Sequence, residues 1–189
     1  MDYINDIKKF EPQNEQEFTD KELILSYIQA NISDVLLRDN KIAHLTSSGF
    51  IMNPELTKAL MVHHNIRNAW AWTGGHCDGD SDLLKVALKE AKEETGALNI
   101  KPLGNKIASV DVLTVPGHVK RNKYISSHLH LSIAYILIMD EAEELHAKWD
   151  ENTDVAWFDV EKITEDNFSK DDIYLYGKLI DRAKKMSLL

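Results

Sequence analysis

The stretch from 74 to 97, GGHCDGDSDLLKVALKEAKEETGA, constrains this chain more than any other. Asp80 or Ser81 can cap a helix start and Gly96 is placed to end it, so the spacing predicts a helix over 81–95. At about 100° per residue, Leu83, Leu84, Ala87, Leu88 and Ala91 form one apolar stripe, with Lys85, Lys89 and Lys92 roughly opposite. Glu90, Glu93 and Glu94 follow i, i+3, i+4 spacing and share one arc. Glu94 falls within the apolar stripe and Glu90 at its edge. A helix of this kind must pack its stripe on a core, and it carries carboxylates with it.

Crowded carboxylates beside a buried surface repel one another and lose hydration. Lys89 reaches Glu93 at i+4, but one lysine does not balance three acids. A divalent cation does, and hard oxygen ligands suit Mg²⁺ or Mn²⁺, which fill their remaining positions with water and substrate phosphate oxygens. An isolated E-x-x-E-E is ordinarily a solvated acidic face. The preceding glycines and the position of Glu94 in the stripe favour the metal reading.

The rest of the chain places this helix in a mixed architecture. Phe18, Leu23, Ile24, Tyr27, Ile28, Ile32, Val35 and Leu36 recur at three and four, which predicts helix within the first 40 residues. That helix serves either a partner or dimer contact or, as most amphipathic helices do, the chain's own core. From His44 the period shortens toward 2. Strands are expected at 44–52, 59–63, 69–72, 107–115, 124–139 and 155–160, with the first two forming a hairpin across Asn53-Pro54 and the third running into a glycine turn at 73–75. Ile173, Tyr176, Leu179, Ile180, Ala183 and Met186 mark a final amphipathic helix. The fold class expected is α/β, with a mixed sheet between helices.

Composition narrows the function. The 189 residues suit one domain. With 22 Lys+Arg against 31 Asp+Glu the net charge is −9, a poor match to a nucleic acid backbone or an anionic membrane surface. The single cysteine, Cys77, excludes an internal disulfide and a cysteine-only zinc site. No apolar stretch approaches the roughly 18 residues of a membrane span, and the N-terminus lacks the pattern of a signal peptide. The expected setting is cytoplasmic.

The helix segment resembles the Nudix box, G-x5-E-x7-R-E-U-x-E-E-x-G-U, where U is aliphatic. Gly75, Glu90, Glu93, Glu94 and Gly96 match, and Ala91 and Ala97 fill aliphatic positions. Five fixed matches arise by chance about once in a million per register. Ser81 stands where the first glutamate belongs, beside Asp82, and Lys89 where arginine belongs; lysine lacks the planar fork of arginine. The resemblance covers roughly 42–165, through HLTSSGFIMNPELTKALMVHHNIRNAWAWTGGHCDGD, SHLHLSIAYIL and DENTDVAWFDVEKI. It implies a Nudix-like α/β/α sandwich at 41–165, with a helical extension at 1–40 and a C-terminal helix at 166–189 packed on the same domain.

The resemblance further implies a metal-dependent hydrolase of a diphosphate linkage in a nucleoside diphosphate derivative or related small molecule. Glu90, Glu93 and Glu94 would hold Mg²⁺ or Mn²⁺ and carry the catalysis, with no nucleic acid or membrane partner. A homodimer is compatible with the sequence. Glu151 is an additional base candidate, or a surface acid. Gly75, His76, Lys89, His128 and His130 are substrate-side candidates; His128 and His130 alternate and so share one face of a strand. Lys120, Arg121 and Lys123 form a basic loop, either a phosphate contact or a solvated surface. Trp70 and Trp72 read as core, and Cys77 as a small loop residue without an activating partner. Two other readings stand. Ser81 and Lys89 motivate a catalytically weak nucleotide-binding or regulatory module. His44 and His76 resemble histidines of isopentenyl diphosphate isomerase, although Gly74 occupies the position of that family's cysteine.

Overall fold

Strand β1 (Ala43–Met52) is the spine of the molecule, and all ten of its residues are buried. In this computed structural model, which describes residues 2–120 and 122–188, it sits between neighbours on both sides. The preceding segment forms α1 (Tyr3–Lys9) and α2 (Glu15–Ala30), capped by the side chains of Asp2 and Asn14. After β1 come β2 (Lys58–His64), β3 (Ala69–Ala71), β4 (Thr73–His76) and helix α3 (Leu83–Thr95). Then follow β5 (Lys101–Pro102), β6 (Ser109–Val115), β7 (His118–Lys120), β8 (Lys123–Ile125), β9 (His128–Ile138), β10 (Asn152–Asp159) and α4 (Lys170–Met186).

Eight strands make one mixed sheet in the order β10-β2-β1-β9-β5, with β3 on β2, β4 on β1 and β6 on β9. The β1–β9 pairing is parallel, from Ala43↔Leu129 to Met52↔Ile138, and the other pairings are antiparallel. β7 and β8 form a separate ribbon. Alternation along β1 divides the core. Leu45 and Ile51 join a cluster with Ile7, Ile24, Ile28, Leu83, Ala87 and Ala91, from α1, α2 and α3. Phe50 and Met52 join Tyr176, Leu179 and Ala183 of α4. The sheet is thus covered by helices on both faces, the expected α/β/α sandwich.

Glu17 of α2 is fully buried between two cations of α4: Arg182 Nη2 at 2.6 Å and Lys178 Nζ at 3.3 Å. Lys178 also contacts Asp111 of β6 at 2.5 Å. The two terminal helical segments are therefore tied to each other across the domain.

Several expectations change in detail. The N-terminal helical pattern is two helices followed by turns, and Phe18, Leu23 and Ile32 are exposed while Ile24, Ile28 and Val35 pack inward. Glu17 faces inward for its ion pairs, so polarity on α2 does not follow a simple stripe. Thr73-Gly74-Gly75 is not a turn: these residues pair with β1 from Thr46↔His76 to Gly49↔Thr73. The strand expected over 124–139 is interrupted at 126–127, because β8 belongs to the ribbon and β9 to the sheet. Helix α3 is capped by Asp82, not Asp80 or Ser81, with Asp82 Oδ1 accepting from the Lys85 N–H at 3.1 Å. Gly96 ends it at φ +73°. Of the basic loop, Lys120 and Lys123 lie on the ribbon, and Arg121 lies outside the described residues. Among the described residues, no helix is long and apolar enough to cross a membrane.

Candidate functional site

Helix α3 lies against β1 and β4, so its glutamates meet the glycines of β4. A Cβ built on Gly75 would stand 2.5 Å from the carboxyl carbon of Glu90, so any side chain there displaces that carboxylate. Gly74 is equally confined, by Ser48 of β1. Its N–H donates to Glu94 Oε1 at 3.0 Å, and Asn152 Nδ2, at the start of β10, donates to Glu94 Oε2 at 3.2 Å. Glu94 is only 4% exposed. Burial pushes its carboxyl up to about 8; the two hydrogen bonds oppose this, and the nearby Glu90 and Glu151 charges add to it.

The other carboxylates are laced by lysines. Lys89 Nζ is 3.2 Å from Glu90 and 3.6 Å from Glu93. Lys148 Nζ is 3.6 Å from Glu93 and 3.1 Å from Glu151. The structure thus brings Glu90, Glu93, Glu94, Glu151, Gly75 and Lys89 to one place. Sequence reasoning missed Asn152 and Lys148. Both flank Glu151 in KWDEN, and nothing in their spacing says that the loop folds over α3.

The histidines go elsewhere. Successive strand residues face opposite sides, so with Gly75 turned to Glu90, the His76 ring points to the other face of β4. There it meets His44 of β1 at 5.0 Å and His130 of β9 at 5.1 Å between ring centroids. His128 joins at 5.1 Å from His44 and 5.2 Å from His130. The expected His128–His130 face exists, but it belongs to this histidine group and not to the glutamates. Among the described residues, His44, His76 and His130 are the one set of three or more potential metal donors whose atoms all lie within 4.8 Å of one another.

Cys77 is buried in the core below α3, and burial pushes its thiol up to about 12, so it is an inert filler. Trp70 packs edge-on against Phe158, and Trp72 lies against Tyr176, both half-buried against the core cluster on the α4 side.

The sequence matches the NUDIX domain family over residues 43–178. The chain belongs to the Nudix family. Its fold is similar to that of a NUDIX-family hydrolase from Clostridium perfringens, with TM-score 0.52 and 21% identity over 73% of this chain and 96% of that one. It is also similar to a dihydroneopterin triphosphate pyrophosphohydrolase from E. coli, with TM-score 0.54 and 12% identity over 72% of this chain and 94% of that one. A third is a bifunctional NMN adenylyltransferase/ADP ribose pyrophosphatase from Francisella tularensis, with TM-score 0.56 and 16% identity over 87% of this chain. This chain spans 47% of that protein. At these identities the likeness is one of fold. No curated protein sequence matches this one significantly.

Proposed function

We propose that this chain is a hydrolase of a diphosphate linkage in a nucleoside diphosphate derivative or related small molecule, dependent on Mg²⁺ or Mn²⁺. The observation that carries the proposal is the buried Glu94 carboxyl, held on both oxygens and crowded by Glu90 and Glu151. With all four carboxylates ionised, the two lysines among them leave two negative charges, which one divalent cation matches. The donors are hard oxygens, which fit such an ion.

Glu90, Glu93 and Glu94 would hold the metal, which neutralises phosphate charge and lowers the pKa of attacking water. Gly74 and Asn152 orient Glu94 through their hydrogen bonds. Gly75 leaves the space that Glu90 fills. Lys89 takes the place of the family's arginine and holds Glu90 and Glu93 by single-point contacts instead of a fork. Lys148 positions Glu93 and Glu151 from the opposite side. Glu151 is the residue we assign as the additional acid able to accept a proton from water, and its release from Lys148 sets its availability.

The test is phosphate and nucleotide release from a panel of nucleoside diphosphate derivatives with Mg²⁺ or Mn²⁺, with Glu93→Gln in parallel. Turnover that chelator and Glu93→Gln both abolish supports the proposal. Turnover that survives both overturns it, and tight nucleotide binding without turnover supports the regulatory-module reading instead.

A further inference from the structure

Four imidazoles converge on the sheet face opposite the glutamates. His44 and His130 are register partners in the parallel β1–β9 pair, and His76 faces Thr46 in the β1–β4 pair. Three separate strands therefore deliver one ring each to the same side. His44 is 3% exposed. Its Nδ1 lies 2.9 Å from the Asn40 carbonyl oxygen, which can only accept, so Nδ1 carries the proton and Nε2 is a bare lone pair. That Nε2 is buried with no partner, and so is His130 Nε2. Ser132 Oγ, which β9 places on the same face as His130 by alternation, is likewise buried and unpartnered. A buried polar atom without a partner has given up its hydration and received nothing in return. Three in one neighbourhood mark a place built for a guest.

We propose that His44, His76 and His130 form a second metal site, for a divalent transition ion of the zinc class, separate from the carboxylate cluster. Neutral imidazole is a borderline-soft donor that suits Zn²⁺, Co²⁺ or Ni²⁺ and not Mg²⁺. All three rings favour the neutral form, chiefly through burial: His44 is lowered, His76 falls to about 3 and His130 to about 2. The Asn40 carbonyl supplies the outer hydrogen bond that fixes the ring and tautomer of a histidine ligand. His128, whose Nδ1 donates to the Ser126 carbonyl at 2.9 Å, flanks the group and also lines a neighbouring surface groove of about 360 Å³. An ion there ties β4 to β1 and β9 one residue from Gly75, and so steadies the strand against which Glu90 rests. This site rests on the histidines alone and stands or falls independently of the proposed hydrolase activity.

The experiment is titration of the full-length, metal-stripped protein with Co²⁺, followed by the visible absorption of its ligand field, and with Zn²⁺ as competitor. The expected result is one equivalent bound with a nitrogen-ligand spectrum in wild type and equally in Glu93→Gln. In His76→Asn and His130→Asn affinity falls by about 100-fold or more, beyond the roughly 10–100-fold of an outer-shell change. If those variants fail to fold, ¹⁵N imidazole NMR of Glu93→Gln decides the matter, because Zn²⁺ then shifts the His44, His76 and His130 nitrogens together. No spectrum in wild type, full affinity in both histidine variants, unmoved imidazole shifts, or loss confined to Glu93→Gln overturns the proposal.

Discussion

The space that Gly75 leaves is filled by the Glu90 carboxylate, whose carboxyl carbon lies 2.5 Å from where a Gly75 Cβ would be. Gly75→Ala therefore cannot coexist with this position of Glu90. A displacement near 1 Å of a positioned group costs about 100-fold in rate. We expect kcat with Mg²⁺ to fall by about that factor while the melting temperature changes little, measured by product release and calorimetry.

Glu94 makes stability depend on pH and on metal. Burial raises its folded pKa from the ordinary 4.5 to about 8, so between these values the folded state binds more protons than the unfolded state. Stability is then full below about pH 4.5 and falls as pH rises toward 8. The loss is on the order of a few kcal/mol. Urea unfolding in chelator from pH 5 to 8.5 should show this decline from Glu94, and Glu94→Gln should flatten it. Mg²⁺ should restore stability at the alkaline end.

Glu17 tests the link between the terminal helices. It is fully buried against Arg182 and Lys178, and Glu17→Ala leaves the Arg182 cation without a carboxylate, while Lys178 keeps Asp111. Breaking a buried pair in this way costs about 3–5 kcal/mol. Chemical denaturation should show that loss, and the effect of salt on it should be small because the pair is shielded from solvent.

Cys77 should not react with thiol reagents in the native state. Its burial and its raised pKa, about 12, remove the thiolate. Labelling with iodoacetamide should follow global unfolding in rate; rapid labelling of folded protein would contradict the core position.

Much of the glutamate site was legible beforehand. The 3.6-residue period put Glu94 in the apolar stripe and Glu90 at its edge, and both are found there, with Glu94 at 4% exposure. Gly96 as the helix end was readable because a left-handed C-terminal residue favours glycine. The cap was misplaced by one or two residues because DGDSD offers several acceptors in a row, and only the backbone path chooses Asp82. Glycines at 74 and 75 read as a turn because glycine usually marks one. Here the lack of side chains serves close approach to Ser48 and Glu90 within a strand.

What the sequence by itself determined is the set of properties that repeat along the chain: the amphipathic α3 with its carboxylates, the alternation that pairs His128 with His130, the Nudix signature and the two-sided core. These are local, since periodicity fixes which residues share a face. Which faces meet was decided by the tertiary structure. Parallel pairing of β1 with β9 brought His44 beside His130, β4 added His76 to them while turning Gly75 toward Glu90, and the loop before β10 delivered Lys148 and Glu151, and the first residue of β10 Asn152, to α3. Strand order and loop docking depend on burying the whole sheet at once, and no short stretch of residues encodes them.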